Sequence, residues 1–297
     1  MSDYKQQVSL LLQVLPEVAK EPAFALHGGT AINLFVRDMV RLSVDIDLTY
    51  IPIEDRKTSF KNIVEGLAHI KTKLEKILPK AAITLKRETL KLQITTVKAQ
   101  IKLEVNQINR GVVDETVTLP LCEKAQEEFD VFCAVSVVPL GQLYGGKICA
   151  ALDRQHPRDL FDVKYLLENE GFTEEIKKGF MLFLLSSNRP LHEMLQPNFI
   201  DQRETMANQF EGMSPEPFTY GDFEKAREEL VDVIHQNLTD KNKEFLLSFG
   251  KGTPDWSIYD FERFPAVQWK LQNLIKLKNG NPEKHESSVA SLKKVLY

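Results

Sequence analysis

The chain has 297 residues, 43% hydrophobic and 27% charged, with a net charge of −4, enough apolar material for the core of one large domain or two ordinary ones. No apolar stretch approaches the roughly 18 residues of a membrane span, and no basic, apolar-cored leader opens the sequence, which excludes a membrane class. Three cysteines, Cys122, Cys133 and Cys149, have no metal-ligand spacing and read as buried thiols of a cytoplasmic protein.

In chain order, residues Tyr4 to Ala19 carry Val8, Leu11, Leu12, Leu15 and Val18 at helical spacing, predicting an amphipathic first helix. Phe24-Ala25-Leu26 reads as a strand that runs into Gly28-Gly29-Thr30, after which Ala31, Leu34 and Phe35 recur with helical period. The glycine turn is therefore expected at a helix N-terminus. Glycines there remove the Cβ atoms that would hold a phosphate off the backbone, and both the unpaired N–H groups and the helix dipole favour an anion. His27, beside the turn, reads equally as a nucleotide contact or a hydrogen-bonded structural histidine.

Val44-Asp45-Ile46-Asp47-Leu48 alternates with the period of a half-buried strand, so Asp45 and Asp47 project from one face roughly 7 Å apart at Cα. Carboxylates on that spacing repel unless a cation sits between them, and a hard ion such as Mg²⁺ or Mn²⁺ takes oxygen ligands while keeping positions open for substrate phosphates. An acidic strand beside a phosphate-binding turn suggests metal-assisted phosphoryl or nucleotidyl transfer.

Asp55 to Leu78 reads as a long helix ended by Pro79, followed by strands at 81–88, 89–96 and 100–108 with a turn at 97–99. Within the third strand Glu104 faces away from its apolar neighbours, the position of a solvent-facing side chain. Asp114 and Glu115 follow in a turn-like stretch. A strand over Val131 to Val138 leads through Pro139 into a helix over Leu140 to Asp153, and another helix begins near Arg158. Lys147 and Arg154 lie two turns apart on one face, and Gly145 and Gly146 leave room for something to approach the backbone. A lysine point charge there would neutralise the β and γ phosphates of a nucleotide. Arg158, Asp159 and Asp162 open the next helix, where a carboxylate also suits capping or an internal ion pair.

From Lys164 onward the chain reads as helical, interrupted at Glu211 to Gly221, with further helices over Tyr220 to Gln236 and Lys241 to Phe249 and a last one beginning at Phe264. There Trp269 is expected in the core and Lys270 on the surface. Charge is uneven: Arg56 to Lys102 holds 12 Lys/Arg against 3 Asp/Glu, and Arg263 to Tyr297 holds 7 against 2. Such runs read as solvated helix faces or as the path of an RNA backbone.

Two blocks, H-G-G-T-A-x-x-L followed by R-x-S-x-D-I-D-L, and P-L-x-x-L-x-x-x-K-x-x-A-x-x-x-R-x-x-x-R-D-L-F-D-V, resemble motifs of the AbiEii/AbiGii toxins of bacterial toxin–antitoxin and abortive-infection systems. The resemblance implies an α/β (α+β) nucleotidyltransferase fold: a small mixed sheet flanked by helices in residues 1–160, then a mostly helical C-terminal domain, 161–297. It implies transfer of an NMP from an NTP, with Mg²⁺ (or Mn²⁺), to an acceptor such as RNA at a tRNA 3′ end, and a cognate antitoxin. Carried onto this sequence, Gly28, Gly29, Thr30, Arg41, Ser43, Lys147 and Arg154 bind nucleotide. Asp45 and Asp47 hold metal, joined by Glu104 as the third acid from a neighbouring strand, and Asp159 takes a catalytic role in its Arg-Asp pair. The competing readings are transfer to a small molecule or a protein side chain, and a nucleotide-binding module without catalysis.

Overall fold

The computed structural model describes residues 3–297, in two compact units: residues through 139 together with 212–217, and residues 140–211 together with 218–297. In the first unit α1 (Asp3–Val18) precedes β1 (Phe24–His27). A helical segment then starts as α2 (Gly28–Ala31) and continues as a π-helical turn, Ile32–Val36. There follow β2 (Asp45–Tyr50), α3 (Arg56–Ile77), β3 (Ala82–Lys86), β4 (Lys91–Thr95), β5 (Gln100–Val105), β6 (Val117–Pro120), α4 (Glu123–Phe129) and β7 (Ala134–Val137). The seven strands form one mixed sheet in the order β3-β4-β5-β2-β1-β7-β6, with β2/β5 and β1/β7 parallel and the other pairs antiparallel.

Alternation explains how the sheet is used. Leu26, Ile46, Leu48, Leu92, Ile94, Ile101 and Leu103 are buried and share one face, against which α1 and α3 pack through stripes such as Val8, Leu11, Leu15 and Ile63, Leu67, Ile70. Gly66 of α3 meets the ring of Phe24 so closely that a Cβ there would lie 2.8 Å from it. Polar residues of the same strands take the opposite face. Asp55 caps α3 by accepting from the N–H groups of Lys57 and Thr58, which fixes where that helix starts.

The second unit is helical: α5 (Leu140–Arg154), α6 (Pro157–Asn169), α7 (Glu174–Leu184), α8 (Leu191–Leu195), α9 (Arg203–Gln209), α10 (Tyr220–Asn237), α11 (Asp240–Gly250), α12 (Pro265–Gly280) and α13 (Pro282–Leu296). Thr219 and Thr239 open α10 and α11 with reciprocal capping boxes closed by Asp222 and Asn242. Among the described residues no helix is long and apolar enough to cross a membrane.

Several expectations need correction. The strand and helix at β6 and α4 went unread, since Val117–Pro120 is short, exposed and ends in proline. The last helix is two, because Asn281 caps a new start with Pro282 in its first turn. Trp269 is 56% exposed, whereas Lys270 is buried. Buried positions on α12 are Ala266, Val267, Lys270 and Leu271, a stripe that skips Trp269. The Lys270 ammonium donates to the carbonyls of Leu184, Ser187 and Arg189, neutralising the C-terminal end of α7. Burial pushes its pKa down to about 8, yet three acceptors match the three protons of the charged form. Of the three free thiols, Cys133 and Cys149 are buried, but Cys122 is only half-buried.

At Gly145 what approaches the bare backbone is a neighbouring helix. A Cβ at Gly145 would lie 2.2 Å from the Gly179 carbonyl carbon, and one at Gly141 would lie 2.3 Å from the Glu175 carbonyl oxygen. Gly141 and Gly145, one turn apart, thus let α5 and α7 touch backbone to backbone. Gly145→Ala must push the two helices apart and is expected to destabilise the chain by about 3 kcal/mol. Equilibrium urea unfolding checks this, and an unchanged midpoint would refute the close contact.

Candidate active site

The glycine turn sits where β1 ends, and its conformation requires glycine. Gly28 has φ +74, and a Cβ there would lie 2.4 Å from the Asp47 carboxylate. A Cβ at Gly29 would come within 2.8 Å of the Arg41 guanidinium and 3.0 Å of the Ser43 hydroxyl. No side chain caps the helical N-terminus that follows His27. Thr30 is fully buried; its hydroxyl donates to the Asp45 carbonyl at 2.5 Å and lies 3.0 Å from Ser43 Oγ. Asn33 donates to the Gly29 carbonyl at 3.0 Å. The turn is thereby locked to the start of β2, with Arg41 and Ser43, both buried, as its floor.

That floor has a brace that sequence reading missed. In the first unit Leu42 N donates to the Met213 carbonyl at 2.7 Å, and Ser214 Oγ donates to the Val40 carbonyl at 3.2 Å. In the second unit Phe210 and Phe218, which flank this excursion, both pack on Phe161. The Pro/Gly-rich interruption thus has defined anchors rather than being only a gap between helices. Nothing local in 211–221 announces a partner some 170 residues earlier.

The acidic residues come together through strand pairing. Asp47 lies directly opposite Glu104 on β5 and opposite His27 on β1, and Asp45 lies opposite Lys102. Paired residues point to the same face, so Asp45, Asp47 and Glu104 share the polar face of the sheet, with the last two about 4.8 Å apart across the strands. Lys91, opposite Glu104 on β4, has its ammonium 2.9 Å from that carboxylate, and the Lys102 ammonium is 3.6 Å from Asp45. His27 is tied through Nδ1 to the Thr49 hydroxyl, 3.4 Å away, consistent with the structural option.

Does this donor set suit a divalent cation? Its chemistry does: three carboxylates from adjacent strands supply hard oxygen ligands, and only a glycine at 28 leaves Asp47 its room. With Lys91 and Lys102 on two of them, the carboxylates do not converge, and among the described residues no group of three or more His, Cys, Asp or Glu stands close enough to hold an ion. A cation would have to displace the ammonium groups.

The second motif block builds a different object. On α5, buried Lys147 reaches Asp159 at 2.8 Å and Asp162 at 3.1 Å, while Arg154 grips Asp159 at 2.6 and 3.1 Å. Lys147 and Arg154 do share a face, as their spacing predicts, but what they meet there is α6. Asp162, fully buried and past the first turn, is an ion-pair partner and not a cap. Burial alone would raise the Asp159 carboxyl, but the Lys147 and Arg154 cations outweigh it and hold it well below the usual carboxylate range. His156 caps α6, accepting at Nδ1 from Arg158 N.

One solved structure shares this architecture. The mycobacterial nucleotidyltransferase toxin MenT4, from Mycobacterium tuberculosis H37Rv, superposes with a TM-score of 0.61 at 12% identity, over 99% of this chain and 93% of that one. A candidate nucleotidyltransferase from H. pylori matches at 16% identity and a TM-score of 0.45, over 82% of this chain and 98% of that one. No curated protein sequence matches. The family model described as the nucleotidyl transferase AbiEii toxin of type IV toxin–antitoxin systems matches residues 9–273, and the chain belongs to that family.

Proposed function

We propose that this nucleotidyltransferase toxin moves an NMP from an NTP to the 3′ hydroxyl of an RNA, a tRNA end being the favoured acceptor, and that a cognate antitoxin opposes it. The observation that carries the reading is the strand register setting Glu104 opposite Asp47, beside an uncapped glycine turn. In this reading the N–H groups of Gly28, Gly29 and Thr30 receive the triphosphate, with the buried Arg41 and Ser43 holding the turn in shape.

Asp45, Asp47 and Glu104 are the residues to hold Mg²⁺ or Mn²⁺. Bound there, the cation would offset phosphate charge and acidify the attacking hydroxyl. The hydroxyl oxygen bonds to the α phosphorus, the bond from that phosphorus to the β-bridging oxygen breaks, and pyrophosphate leaves. The proton of the hydroxyl passes to a carboxylate oxygen of the set. Lys147, Arg154 and Asp159 act in this account as a buried charged cluster that fixes α5 to α6.

The test is to incubate the protein with Mg²⁺, each α-labelled NTP in turn and total bacterial RNA, beside Asp45→Asn. Label in a tRNA-sized band, absent with the variant, is expected. Label confined to protein or small molecules would overturn the acceptor assignment.

A further inference from the structure

The sheet continues past the carboxylates as an open polar face. Reading across the register, Lys86 on β3 pairs with Lys91 on β4, which pairs with Glu104 on β5, which pairs with Asp47 on β2. The next row runs Thr84, Gln93, Lys102, Asp45. Each of these side chains is exposed or half-exposed, whereas the alternating residues Leu92, Ile94, Ile101 and Leu103 are buried on the other face. From Lys86 to Asp47 is three strand spacings, about 14 Å, the span of a few nucleotides.

Three lysines stand on this face of β3, β4 and β5, facing Glu104 on β5 and the two aspartates, Asp45 and Asp47, at the β2 end of the rows. Lys91 and Lys102 lie on Glu104 and Asp45; once those carboxylates engage a cation, both ammonium charges are released towards an incoming anion. No aromatic ring stands in either row, so the face offers charge and hydrogen bonds without a stacking platform.

We propose that this face, rowed by Lys86, Lys91, Lys102, Thr84 and Gln93, binds the phosphodiester backbone of single-stranded RNA and leads its 3′ end to the carboxylates. The proposal rests on the RNA-acceptor reading above and adds the surface that reading lacks. Binding there is steep in salt and indifferent to base sequence, because charge does the recognising.

Fluorescence anisotropy of a 5′-labelled 12-nucleotide single-stranded RNA, titrated with the full chain at several salt concentrations, tests it. Lys86→Gln and Thr84→Glu lie outside the carboxylate set, and Lys76→Gln makes a matching charge change in the last turn of α3. Lys86→Gln should lower the slope of log affinity against log salt by about 0.7. Thr84→Glu should weaken binding, Lys76→Gln should leave it unchanged, and the RNA KM of the first two should rise with kcat unaltered. RNA labelling with wild-type slopes and KM in both face variants would overturn the proposal. RNA bound with a Lys86-dependent slope but never labelled would uphold the face and remove the acceptor reading instead.

Discussion

Lys147→Met is expected to destabilise the chain by about 3–5 kcal/mol, because it strips the cation from buried carboxylates while leaving them buried. Arg154 still holds Asp159, so the carboxylate that loses its Lys147 ion pair outright is Asp162, which has no exposure to water. Lys147→Met/Asp162→Leu should recover much of the loss, since it removes a buried charge together with the cation that faced it. Urea unfolding of the single and double variants decides it, and a single variant as stable as the parent would contradict the buried cluster.

The same cluster sets an acid limit. Asp159 is depressed from its ordinary value of 3.8, so the unfolded chain takes up its proton first as pH drops. Its contribution is fully present above pH 4 or so and is lost as pH falls through the folded value. Asp159→Asn should flatten the acid side of the stability profile; an unaltered profile would remove Asp159 from it.

Asp47→Asn is expected to lower transfer by roughly 10³-fold while leaving the fold intact, the size of loss that follows removal of a charged group acting on the transition state. The amide keeps the shape beside Gly28, so the turn need not move. The thermal midpoint should therefore hold to within a few degrees. Single-turnover transfer with excess enzyme, paired with a thermal melt, is the check, and activity within tenfold of the parent would discard the carboxylate assignment.

Local chemistry was legible where a motif lies within one stretch. The strand, glycine turn and acidic strand of residues 24–50 were readable because alternation changes to helical period at Gly28. The place of Glu104 beside Asp47 was expected only through family resemblance: the pairing depends on a crossover of 49 residues, from Tyr50 to Gln100, and nothing in Gln100–Val105 states its partner.

Lys91 and Lys102 escaped for the same reason, since a lysine on an alternating strand looks solvated until register puts a carboxylate opposite. The close approach at Gly145 was legible, but not what approaches, because a glycine that admits a helix and one that admits a ligand look alike in sequence. Trp269 and Lys270 misled because residue type outweighed phase. One position on a helix turns a side chain by about 100°, and the carbonyls at the end of α7 make the lysine site tolerable.

The most direct measurement of the central claim follows the two ends of the triphosphate. The chain is incubated with Mg²⁺ and total RNA, using one NTP labelled at the α phosphorus and, separately, the same NTP labelled at the γ phosphorus. Nucleotidyl transfer predicts α label in RNA and γ label in pyrophosphate. Label from the γ position on the acceptor, or from neither position on any acceptor, would contradict it.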